Sequence, residues 1–352
     1  MDLGERHSPV LRIEYFADRV DPSEVTPTNF GHVDTRCLTF LITVPRGSDF
    51  MNRIKKEPVQ HYMQINPHHP SAEQGFLLRA SILHGDAAIR AWNKWQDLVD
   101  FEEIDYGSIQ LLALLYKNLK LHQIIHPSID IFRGIYRRIW YQNHVLLAKM
   151  IPVLKALHEL KFDAMLLEGA ALTLTQYKDN GLRPIHDFVV VVPPEQGERT
   201  VSAMVEIGWS QKPVSAGLTG AIFRAERASD GLQKEAVPVF ELRASLFPQS
   251  DKGNTDEVFW KDAVMTYISG VPTRTLNTTD QLLHACIQTT RWHHLMPLSG
   301  FGDAMFVLEN SRDVIDWNRF HALSERLGFT PLLEGVLDYL KNELHAPVSS
   351  RT

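Results

Sequence analysis

Leu182-Arg183-Pro184-Ile185-His186-Asp187-Phe188-Val189-Val190-Val191-Val192-Pro193-Pro194 decides how the chain folds. Phe188 to Val192 places apolar, mostly β-branched residues in an unbroken row, and the proline pair then stops the run. A strand with no polar face must be covered on both sides, so this one belongs in the middle of a sheet. Asn180 and Gly181 break the chain before it, and Asp187 stands at its opening. Because side chains alternate along a strand, His186 points away from the face that Asp187 uses.

Working outward, Ala164 to Leu167 reads as a short buried strand, Glu168 and Gly169 as a turn, and Ala170 to Tyr177 as a helix. Downstream, Thr200 to Ile207 reads as a helix. Ala221 to Arg224 and Val237 to Leu242 read as strands, the latter behind the turn-forming Asp230 and Gly231. Strands and helices interleave over residues 161–250, which predicts an α/β (α+β) core with a mixed sheet.

Helical periods flank that core. Phe76, Leu77, Ala80 and Ile82, then Ala88, Ala91, Trp92 and Trp95, predict a helical hairpin. Ile109, Leu112, Leu115, Tyr116 and Leu119 share one face of a further helix, with Ser108 as its expected N-cap. The stripe over Ile131 to Leu160 predicts a long helix kinked near Pro152. Trp92, Trp95, Tyr136, Trp140 and Tyr141 sit at helical spacing and read as core or groove residues rather than a base-stacking surface. From Asp256 onward helices are expected at Leu282 to Ile287, Ala304 to Leu308, Trp317 to Leu327 and Leu332 to Leu340. The organisation that follows is an extension over 1–74 with a strand at Leu38 to Val44, a helical subdomain over 75–160, the core over 161–250, and a helical C-terminal subdomain over 251–352.

Composition narrows the function. With 352 residues, 44% hydrophobic and 22% charged, the chain can bury a sizeable core and exceeds what one core commonly serves. A net charge of -6 opposes general nucleic-acid binding through phosphate neutralisation. Cys37 and Cys286 are too few for a disulfide framework or a thiolate zinc site, which fits a reducing cytoplasm. No apolar run approaches the roughly 20 residues of a membrane helix, and Met1 to Phe16 lacks the pattern of a signal peptide. The pairs His68 with His69 and His293 with His294 lack the i, i+4 spacing of a helical zinc site. Neither a Gly-x-Ser-x-Gly elbow nor a Walker lysine motif occurs.

Three segments in order then carry a resemblance: Leu166-Leu167-Glu168-Gly169-Ala170-Ala171-Leu172, Leu182-Arg183-Pro184-Ile185-His186-Asp187-Phe188-Val189 and Phe240-Glu241-Leu242-Arg243-Ala244. Together with Ala91 to Trp95, Tyr136 to Trp140, Asp303 and Asp316-Trp317, the chain resembles the bacterial uncharacterised nucleotidyltransferase family of the DNA polymerase β-like superfamily over about residues 76–340. The resemblance implies a nucleotidyltransferase-like mixed-sheet core flanked by helical subdomains, and an NTP as substrate. It also implies a Gly-containing turn whose backbone meets phosphate (Gly169, Ala170), and carboxylates that hold Mg2+ (Asp187, Glu241). Nucleotidyl transfer proceeds by in-line attack on the α-phosphorus, with two divalent cations clamping the attacking and leaving oxygens. An Asp-x-Asp pair serves this because residues two apart on a strand share a face.

This chain departs from the family pattern in three places. Val189 stands where the second Asp is expected and offers no oxygen, leaving Mg2+ held weakly or lost. Glu168 stands where a lysine is expected, either as a substitute metal ligand or as a solvated turn residue. Arg243 stands where a histidine is expected, either binding phosphate or pairing with Glu241. Arg183 either contacts phosphate or braces its loop, and Asp187 either ligates a metal or caps a turn. Two functions therefore remain open. One is an enzyme that moves a nucleotidyl group to an unknown small-molecule, peptide or protein acceptor. The other is a catalytically inactive relative, a pseudoenzyme, that binds a nucleotide, peptide or protein. A purely structural subunit is a third class, and would require an exposed apolar face.

Overall fold

The computed structural model describes residues 70–101, 104–212, 220–225, 239–247, 256–290, 298–311 and 314–349. The expected strand Leu38 to Val44, the turn Asp230-Gly231, Cys37 and both His pairs lie outside them. The chain divides into two compact units, residues 1–67 with 98–105, and residues 68–97 with 106–352. In the first, only residues 98–101, 104 and 105 are described.

The second unit is built on the valine run. Phe188–Val191 forms β2, fully buried along its length, and occupies the fourth place in a seven-stranded sheet of order β3-β4-β5-β2-β1-β7-β6. The other strands are β1 (Met165–Leu166), β3 (Trp209–Lys212), β4 (Gly220–Ala225), β5 (Val239–Arg243), β6 (Val264–Ile268) and β7 (Val271–Thr275). β2 runs antiparallel to β1 and parallel to β5, while β1 runs parallel to β7, so the sheet is mixed as expected. The register sets Phe188 beside Phe240, Val189 beside Glu241, Val190 beside Leu242 and Val191 beside Arg243. Alternation then divides the sheet into an apolar face and a face bearing the acids.

Phe188, Val190, Val192, Phe240 and Leu242 pack with Phe223 and with Met204 of α7 (Gly197–Glu206), and the Phe223 and Phe240 rings stack 5.0 Å apart. The cover comes from α5 (Ile129–Glu159), whose Leu147, Met150, Val153, Leu154 and Leu157 join the same core. Its 31 residues continue through Pro152, which has no N–H to return to Ala148. Burying five such side chains against the sheet contributes on the order of 1.5–3 kcal/mol each before entropy is charged.

Upstream stand α1 (Ala72–Ile82), α2 (Gly85–Leu98), the short α3 (Tyr106–Ile109) and α4 (Leu112–Leu121). Ser71 caps α1 reciprocally with Gln74, satisfying two otherwise unpaired amides. Ser108 is not the N-cap expected of it. It lies buried inside α3, and its carbonyl accepts from Leu111, because the chain makes a separate turn before α4 begins. Trp92 and Trp95 are core residues as expected, but Trp140 and Tyr141 are exposed, since α5 turns its other stripe to the sheet.

Downstream, the region expected to be helical contributes β6 and β7 to the sheet before the helices return. Ser269 and Gly270, both at positive φ, form the two-residue turn that joins them. Helices α9 (Thr278–Thr289), α10 (Leu298–Asn310), α11 (Trp317–Leu327) and α12 (Thr330–Glu343) follow α8 (Glu257–Lys261). α9 packs on α10, α11 and α12, and no helix among the described residues is long and apolar enough to cross a membrane.

Candidate active site

The turn after β1 is itself helical: α6 (Glu168–Leu172) begins at Glu168 and passes into a π-helical turn, Thr173–Tyr177, where one continuous α-helix was expected. Glu168 sits at φ 57, in the left-handed region that a residue with a Cβ enters at a cost of about 1 kcal/mol or more. Gly169 lies so close to the next loop that an added Cβ would stand 3.3 Å from Arg183 Nη1. Ala170 is wholly buried, and its methyl group packs in the sheet core.

The loop from Lys178 to Asp187 is fastened from two sides. On the α5 side, Asn143 donates to the carbonyls of Asn180 (2.7 Å) and Arg183 (2.8 Å) and accepts from Ile185 N (3.0 Å). Tyr136 O–H donates to Asp179 Oδ1 at 2.9 Å, and Lys117 Nζ lies 3.0 Å from Asp179 Oδ2. The Tyr136 ring presses on Gly181, where a Cβ would approach to 2.3 Å and could not be accommodated. On the α10 side, Arg183 donates to Asp303 through Nε (3.0 Å) and Nη2 (3.1 Å), and through Nη1 to the Pro184 carbonyl (2.5 Å). Tyr177 O–H completes the clamp at 2.8 Å from Asp303 Oδ1. Of the two roles open to Arg183, the geometry is that of a brace. Burial alone would weaken its charge, but Asp303 more than offsets this and the pKa rises.

At the mouth of the sheet, two of the three acids expected to hold metal are bound by one guanidinium. Arg243 donates through Nε (2.6 Å) and Nη2 (2.9 Å) to the two oxygens of Glu241, and through Nη1 to Glu168 Oε1 at 2.6 Å. Glu168 Oε1 also accepts from Gln288 Nε2 at 3.2 Å, and Gln288 lies 3.3 Å from the Nε2 of the buried His284. Burial opposes the Arg243 charge, but the hydrogen bonds to Glu241 and the nearby Glu168 carboxylate raise its pKa overall. Asp187, immediately before β2 begins, is exposed as a residue. Burial of its carboxyl, then repulsion from Glu168 and Glu241, push its pKa up. Burial of the His186 ring, then the Arg183 charge, push its pKa down to about 4, although the residue as a whole is exposed. Val189, fully buried beside Glu241, fills the position between the acids with methyl groups.

Those contacts test the donor set against a two-cation site. Hard cations need several carboxylate oxygens free to close on them. Here both Glu241 oxygens and one of Glu168 are spent on Arg243, and Val189 contributes none. Among the described residues no group of three or more His, Cys, Asp or Glu is arranged to hold a metal ion. The residues present do not fit the pair of cations.

The structure joins Glu168, Glu241 and Arg243 by hydrogen bonds, with Asp187 close enough to feel the charges of both glutamates. Sequence reading did not find Gln288, Asn143 or the role of Asp303, because each meets the site across more than thirty-five residues of chain and no local pattern marks such a partner.

A mixed sheet whose central strand is led by an acid and lies beside a parallel strand bearing Glu241, with a glycine turn leading a helix, defines the nucleotidyltransferase-like class. The model of the family described as uncharacterised nucleotidyltransferase matches residues 108–344, more than half of the chain, and the chain belongs to that family. A solved structure of an antigenic nucleotidyltransferase-like protein from Paracoccidioides brasiliensis is similar at 13% identity and a TM-score of 0.35. That likeness covers 54% of this chain and 92% of the other. No curated protein matches.

Proposed function

We propose that this chain is a nucleotidyltransferase-family protein whose cleft serves recognition, binding a partner without divalent metal, and that it does not perform two-metal nucleotidyl transfer. The observation that carries this is the guanidinium of Arg243 on both oxygens of Glu241 and on Glu168. Among a nucleotide, a peptide and a protein, the charges favour a peptide or protein. The two arginines that a triphosphate would call on, Arg183 and Arg243, are already engaged by carboxylates. Cys286, a buried thiol whose pKa burial pushes up to about 12, suits a reducing cytoplasm.

The test is incubation of the full chain with each α-phosphate-labelled NTP in Mg2+ or Mn2+, alongside calorimetric titration of the same material. No label transfer and no metal-dependent nucleotide binding are expected. Metal-dependent labelling that disappears in Asp187→Ala would overturn the proposal. It would favour a second reading, transfer supported by a single weakly held Mg2+ near Asp187. That reading draws on one observation, the crowding of Asp187 by Glu168 and Glu241, which a cation would relieve.

A further inference from the structure

We infer that Arg243 is a built-in replacement for the divalent cation: its guanidinium permanently offsets the charge that Glu168 and Glu241 share, and removing it would free these two carboxylates to take up a divalent cation. The inference rests on the reading of the cleft as metal-free, and adds what took the metal's place.

The geometry is specific to such a replacement. Arg243 follows Glu241 by two residues on β5, so both side chains leave the same face of the sheet, the one that Val189 also faces. That face is where the resemblance would place the cations. A planar guanidinium offers donors in a fork that engages one carboxylate with two N–H groups while a third reaches another acid. Arg243 does this, with Glu241 bound twice and Glu168 once. The Glu168 contact closes over 75 residues of sequence and joins α6 to β5, so it spans the cleft rather than decorating one element.

Two independent features of the chain agree with this. Val189 leaves no carboxylate at the position whose ligand two cations would share. Glu168 stands in the left-handed region with its carboxylate turned to Arg243 and Gln288, a conformation that those two donors help to hold. A lysine at this position would place like charge against Arg243. The acid at 168, the apolar residue at 189 and the arginine at 243 therefore form one consistent set: an extra negative charge, a missing ligand and a resident cation.

The exchange has a physical consequence. Arginine stays protonated at every pH that proteins tolerate, whereas a weakly bound cation comes and goes with its concentration. The wild-type site should be indifferent to divalent metal, and the variant without the guanidinium should not be.

The experiment follows the Tm of the full chain in EDTA and in 10 mM Mg2+ or Mn2+, with bound Mn2+ counted by electron paramagnetic resonance. Wild type should bind no Mn2+ at this site, and its Tm should hold constant. Arg243→Ala and the neutral, polar Arg243→Gln should melt lower in EDTA, bind Mn2+, and regain about 3 °C or more with the cation. Adding Glu241→Gln to either variant should abolish the recovery. A wild-type protein that binds Mn2+ and gains Tm would overturn the inference, as would Arg243→Gln that folds and ignores the metal. If Arg243→Ala does not fold, Arg243→Gln and the wild-type Mn2+ count decide. Label transfer from NTP by wild type in the absence of Mn2+ binding at these acids would instead count against the recognition reading alone.

Discussion

Two arginines flank Gly169, and they are used in opposite ways. Arg183 is sealed between the 178–187 loop and α10, with side-chain exposures of 13% for itself and 4% for Asp303, and nearly all its donors are spent inside the fold. Arg243, itself only 11% exposed, lies between carboxylates that are each about one-fifth exposed. The same chemistry, a guanidinium on a carboxylate, is structural in the first and site-forming in the second. The acids make the difference: Asp303 is sealed from water and could not be resolvated if orphaned, whereas Glu168 and Glu241, each about one-fifth exposed, could.

The sharpest way to break the comparison is at the clamp. Asp303→Ala leaves Arg183 buried without its acid and takes a partner from Tyr177, so it should cost about 3–5 kcal/mol. The double change Arg183→Met with Asp303→Leu should recover much of that loss, since it removes both charges together. Chemical denaturation at low and high salt checks both: the clamp deficit should be nearly salt-independent, because a buried pair is poorly screened. A single variant as stable as wild type would show that water reaches the pair.

At the mouth the expected effect is smaller. Glu241→Gln keeps the shape but loses two charge-assisted bonds from Arg243, for a cost of about 1–2 kcal/mol. Here added salt should narrow the gap between variant and wild type. If the two deficits respond to salt alike, the distinction between clamp and mouth fails.

How much of this was legible beforehand follows the same division. β2 announced itself because five apolar residues between a turn and two prolines admit few other structures. The acids at its edge were legible because strand alternation is local. β6 and β7 were missed although Val264 to Ile268 and the Ser269-Gly270 turn carry the hairpin signal; the strong helical stripes that follow outweighed a strand of five residues. The exposed Trp140 and Tyr141 were read as core or groove because their spacing matches the stripe, yet α5 buries a neighbouring stripe and only the packed structure tells which. The choice between phosphate contact and brace for Arg183 stayed open for a deeper reason. Asp303 reaches it from distant sequence, and side-chain pairing across 120 residues leaves no periodic trace.

The smallest effect belongs to Asp187 and has the opposite sign. Its pKa in the folded chain stands above the ordinary 3.8, first through burial of the carboxyl and then through Glu168 and Glu241. Between the ordinary value and the raised one, the folded state holds a proton that the unfolded chain has released, so stability falls as pH rises through that window. Above it the ionised carboxylate remains a liability, and below it the liability is gone. Asp187→Asn should therefore melt slightly higher than wild type at pH 7, within about 0.5 kcal/mol as befits a solvent-facing residue, and the two should converge as the pH falls toward 3. Melting curves from pH 3 to 8 measure it. An Asn variant that is less stable at neutral pH would mean that the Asp187 carboxylate is held by a favourable partner, and the mouth would then have to be redrawn with Asp187, rather than Arg243, at its centre.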